Sequence, residues 1–137
     1  MSNTSTAILA ALGVSLVCAV PSSAHHSTAM FDHSKEIVVE GTVKQWQFTN
    51  PHSWLQILVT QPDGKTVQWS FEGGAPGGGG VGVASPIAKD TFKPGEKVSV
   101  KTHPMKDGRP AGSLREVTFT DGRVWTARGG TRRVAPS

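Results

Sequence analysis

Any metal or proton chemistry in this chain falls first to its five histidines, and two of them, His25 and His26, follow Ala24 directly. Pro21-Ser22-Ser23-Ala24 puts small residues, Ser22 and Ala24, at the −3 and −1 positions of a signal-peptidase site. Hydrolysis after Ala24 turns the backbone nitrogen of His25 into a free amine beside two imidazoles. An α-amine and an imidazole both give up a proton near neutral pH and then bind transition metals. Amine and imidazole nitrogens in tetragonal geometry suit Cu(II), which the Irving–Williams order also favours. The expected centre is a copper ion chelated by the amine and ring of His25, with His52 as the second imidazole. His26 and His33 are the substitutes. Asn50-Pro51 stiffens the loop that carries His52, and Glu72 is the carboxylate able to orient a ring from behind.

The competing chemistry needs no metal. Trp54 lies on the opposite phase from Leu55 and Ile57, so its indole is the ring most able to meet a ligand, with Asn50 in the neighbouring turn. A metal-independent module for an oligosaccharide, a peptide or another acidic ligand is the alternative, and a net charge of +4 favours the acidic one. In the plainest reading, His25 and His26 are soluble residues beside a cleavage site and Asn50-Pro51-His52 is only a tight turn. The residues argue against an enzyme. The lone Cys18 lies in the apolar leader, no Gly-x-Ser-x-Gly elbow is present, and no pair of carboxylates frames a cleft. Tyrosine is absent from the chain.

The elements that must position these residues follow a leader. Residues 1–24 carry no charge, and Ala7 to Val20 is an almost continuous apolar run. That run falls short of the ~20 residues a membrane span requires, and Pro21 with two serines ends it. A signal peptide over 1–24 predicts a periplasmic or secreted protein with no membrane span after cleavage; a second cut, after Ala19, would bury the His-His pair inside the mature chain. Residues 25–137 suffice for one compact domain. Without Cys18 no disulfide is available, so cohesion rests on apolar burial, with four tryptophans and five phenylalanines as large contributors.

The domain over 25–126 reads as β throughout. Glu36–Phe48 is a long strand whose inward phase runs Ile37, Val39, Val43 and then switches to Trp46 and Phe48, which predicts a bulge after Gly41. Ser53–Thr60 and Lys65–Phe71 flank the turn Pro62-Asp63-Gly64 as a hairpin. The glycine-rich loop 73–80 follows, and Ser85–Asp90 has room for one helical turn. Lys97–Thr102, Ser113–Thr120 and a short Arg123–Trp125 complete the strands. The expected core is Val43, Leu55, Ile57, Val67, Trp69, Phe71, Val98 and Val100. Three strands, an irregular crossing and two more strands is the order of an OB-like barrel of five to six strands. Residues 127–137, rich in arginine and glycine, read as a basic flexible tail. No aromatic is interleaved with those arginines, so nucleic acid is not an expected partner.

His25-His26-Ser27, Met30-Phe31-Asp32, Gly41-Thr42-Val43, Thr49-Asn50-Pro51-His52, Trp69 with Glu72, Lys93-Pro94-Gly95 and Gly108 with Gly112 together resemble a family of small exported bacterial proteins known only as a domain of unknown function. The resemblance covers the mature chain and implies export and a single β domain, with no established activity. His103 falls outside its motif. Between Pro76 and Asp90, where the family carries a short helix with Leu and Trp, this chain has glycines.

Overall fold

The computed structural model describes residues 29–76 and 87–134. The leader, His25, His26 and the glycines at 77–80 and 82 lie outside the described residues. Seven strands follow in order: β1 (Ile37–Gln47), β2 (Trp54–Thr60), β3 (Thr66–Glu72), β4 (Lys97–Pro104), β5 (Ala111–Phe119), β6 (Arg123–Thr126) and β7 (Gly130–Arg133). No described residue is helical, and Lys89-Asp90 form a turn.

Strand β1 does the work of two walls. Its residues 37–42 pair with β4 and its residues 42–47 with β2, so the strand must coil sharply in passing from one partner to the other. Gly41 makes that approach available, because a Cβ there would lie 2.5 Å from the Leu58 carbonyl oxygen. The expected phase switch is a register shift between Val43 and Gln45. Its site is Lys44 rather than Gly41. Lys44 and Gln45 both face solvent, and Trp46 returns to the core side opposite Leu55.

Closure comes from β3 and β5, which run parallel with Phe71 opposite Gly112. Together with β1–β2, β2–β3, β1–β4 and β4–β5 this gives the ring β1-β2-β3-β5-β4 of an OB-type barrel, built from five strands. Beyond residue 113, where β3 no longer reaches, β6 continues along β5 and β7 pairs with β6. The arginine-rich end expected to be a free tail from 127 thus contributes a seventh strand at 130–133, with Thr131, Arg132 and Arg133 exposed. Arginines on an edge strand also discourage pairing with another chain.

Leu55, Ile57, Phe71, Val100, Val117 and Trp125 are fully buried, with Val43 and Val98 close to it. Val67 and Trp69 keep the inward phase, paired with Val59 and Ile57, yet both are half-buried. Trp69 lies beside Ile37 and Val59 at one end of the barrel, where among the described residues no further layer covers it. Phe92, from the crossing between β3 and β4, seals a different region. Its ring lies 4.9 Å from Trp46, 5.9 Å from Phe119 and 5.3 Å from Trp125.

Candidate functional site

The connection between β1 and β2 positions His52. The Asn50–Pro51 peptide is cis, and the Thr49 hydroxyl donates to the His52 carbonyl at 2.9 Å, so the loop closes on itself. The imidazole then leans on β3: Nδ1 of His52 lies 2.9 Å from Oε1 of Glu72. A carboxylate can only accept, so Nδ1 holds the proton and, in the neutral ring, Nε2 keeps its lone pair. The Glu72 side chain is 8% exposed and the His52 side chain 38% exposed. One partner is therefore anchored in the fold while the other reaches solvent, the arrangement found behind metal-ligating histidines and in other oriented imidazoles alike.

Next to His52, Trp54 starts β2 and pairs with Glu72 across the hairpin. Its indole lines a groove of about 470 Å³ on the outer face of β2 and β3. Gln68 and Ser70 form the polar floor; Met105, Arg109 and Pro110 from the β4–β5 connection form one wall. Met30 and Phe31 bring the start of the domain to the same groove. Asn50 stands exposed in its turn and is not part of this lining.

A chain of amides starts at Gln68 on the floor and runs out of the groove across β2 and β1. Lys44 Nζ donates to Gln68 Oε1 at 2.6 Å, Gln68 Nε2 to Gln56 Oε1 at 2.6 Å, and Gln56 Nε2 to Gln47 Oε1 at 2.9 Å. Each amide is thereby held in one orientation, so the face offers directed donors and acceptors beside an aromatic ring. Arg109 is braced too: its backbone N–H and guanidinium both donate to Asp107, holding that carboxyl below its ordinary value.

The remaining described histidines form a second cluster. The segment before β1 runs antiparallel to the end of β4, with Asp32 N donating to Pro104 O at 2.8 Å and Phe31 bridging Met105. This places the His33 ring edge-to-face against His103, centroids 5.1 Å apart. His103 Nδ1 lies 2.7 Å from the Lys35 carbonyl oxygen. The sequence reading set His103 aside because it falls outside the family motif, and no local pattern links positions seventy residues apart. Its outward phase on β4 was the one available signal. Among the described residues, no group of three or more His, Cys, Asp or Glu side chains converges on a point where a metal would sit.

The β3–β5 closure and the groove on the β2–β3 face define an OB-type β-barrel domain with a ligand-sized surface cleft. The chain belongs to a family of unknown function (DUF6152), whose model matches residues 14–115. No curated protein and no solved structure matches it. Among the described residues, no helix is long and apolar enough to cross a membrane.

Proposed function

We propose that this protein is an exported binding module that takes an oligosaccharide, acidic or neutral, across β2 and β3. The observation that carries the reading is Trp54 in the groove beside the ordered amides of Gln68, Gln56 and Gln47. An indole face packs on the apolar face of a sugar ring, and fixed amides answer its hydroxyls. Small OB-type barrels commonly bind oligosaccharides on this face. Arg109, at the groove wall, adds a preference for a carboxylate-bearing sugar. Export rests on the apolar leader and the small residues before His25. The test is titration of processed protein with a panel of neutral and uronic-acid oligosaccharides, followed by tryptophan fluorescence and calorimetry. Saturable binding that Trp54→Ala reduces at least tenfold supports the module. Binding that is absent across the panel, or indifferent to Trp54→Ala, removes it.

A second reading is favoured by one contact, that of His52 with Glu72. In it the freed amine and ring of His25 chelate Cu(II), and Nε2 of His52 completes the set, with Glu72 fixing the His52 tautomer. His26 is the substitute ligand there.

A further inference from the structure

We propose that His33 and His103 form a two-imidazole site for a borderline divalent ion, Cu(II) or Zn(II), independent of the groove and of His52. Both rings are mounted on paired backbone. His103 is in register with Ser113 on β5, and His33 follows the Asp32–Pro104 hydrogen bond. The Lys35 carbonyl accepts a hydrogen bond from His103 Nδ1–H, which leaves the lone pair of the neutral ring on Nε2. A backbone carbonyl on the far nitrogen is a common support for a metal-ligating histidine.

The ring spacing is that of two ligands on one ion. With a metal–nitrogen bond of about 2.0 Å, each ring centroid lies about 3.2 Å from the metal. Two such rings are then about 4.5 Å apart at a right angle and about 5.2 Å apart at the tetrahedral angle. The observed 5.1 Å falls inside that interval, with the rings inclined at 67°. His33 is exposed and His103 half-buried, so an ion has access from solvent. The nearest charges on this segment cancel, since Lys35 Nζ pairs with Asp32 at 3.2 Å. Neutral imidazoles of this kind select the copper–zinc end of the divalent series over calcium or magnesium, and water fills the remaining positions.

The experiment separates this site from any centre at the start of the mature chain. Full-length-derived, processed protein carrying His25→Ala, His26→Ala and His52→Ala is titrated with Zn(II) chloride by calorimetry. One equivalent is expected to bind. Adding His33→Ala or His103→Ala should weaken that binding at least tenfold, with the metal-free circular dichroism of each variant that of a folded β domain. In the unaltered protein, nitrogen resonances of the His33 and His103 rings should shift together on adding Zn(II). No bound equivalent in the triple variant, affinity indifferent to His33→Ala, or ring resonances unmoved by zinc would each overturn the proposal and leave the pair as an aromatic contact.

Discussion

Nδ1 of His52 meets Oε1 of Glu72 at 2.9 Å, across the gap between the β1–β2 loop and the end of β3. The contact ties the cis-proline turn at Asn50–Pro51 to the strand that closes the barrel. It also fixes which ring nitrogen faces outward. Whatever His52 does is done through Nε2, with a nearly buried carboxylate behind it.

For the copper reading, processed protein beginning at His25 should bind one Cu(II) with coupling to three nitrogens in electron paramagnetic resonance. His52→Ala should remove one of those couplings. Glu72→Gln, which keeps the shape and loses the charge, should weaken copper binding about 10–100-fold. A spectrum and affinity untouched by both substitutions would eliminate His52 as a ligand.

Two core tryptophans should differ sharply in cost. Trp125 is fully buried against Phe92, whereas Trp69 is half-buried at one end of the barrel. Trp125→Ala should destabilise by about 3–5 kcal/mol and Trp69→Ala by about 1–2 kcal/mol in urea unfolding, in keeping with the dependence on burial. Equal losses would mean that this end is covered in solution.

Gly112 is a contact glycine. A Cβ there would lie 2.7 Å from the His103 carbonyl oxygen and would press on Thr102, whose hydroxyl donates to Ser113 O. Backbone in a ladder cannot give way cheaply, so Gly112→Ala should cost about 2–3 kcal/mol. Gly73→Ala meets only ordinary contacts at 3.5 Å and beyond, and should be far milder. Melting temperatures of the two variants check the ranking.

Acid should act through the turn between β5 and β6. The side chain and backbone N–H of Arg123 donate to Asp121 and hold its carboxyl below the ordinary value of 3.8. A depressed folded-state value means stability that is present above the unfolded value and lost as pH falls through the folded one. The melting-temperature gap between the unaltered protein and Asp121→Asn should therefore be largest near neutral pH and narrow as the solution is acidified past the ordinary carboxyl value of 3.8. A gap that widens on acidification would contradict the sign. Arg123 keeps a second anchor in Glu96 at 2.6 Å and lies over the Phe119 ring at 4.1 Å, so the turn itself should survive.

Alternation and turn chemistry by themselves determined the strands and their faces. Leu55 and Ile57 against Gln56, or Val98 and Val100 against Ser99, state a period of two that only a half-buried strand satisfies. Gly64 and Gly122 adopt positive φ of 81° and 83° at the two reversals that Asp-Gly pairs announce. The switch from Val43 to Trp46 announced a bulge, expected after Gly41 and found at Lys44, because alternation shows that the phase changes and not which residue absorbs the change.

Tertiary structure alone decided what those strands enclose. Period two says which side of a strand is apolar, not how far a barrel wall extends, so Val67 and Trp69 share a phase with Phe71 and differ from it in burial. The arginines at 132 and 133 read as a solvated tail because their charge is local information; that they pair with Val124 and Arg123 depends on the edge of β6 that β5 does not occupy. Likewise the groove around Trp54 exists because β3 joins β5 and brings the β4–β5 connection beside β2. The His33–His103 contact spans the same kind of distance, from the segment before β1 to the end of β4. Closing a barrel brings sequence-distant residues within a few ångströms of one another, and that proximity is a property of the pairing order, which no local pattern of residues contains.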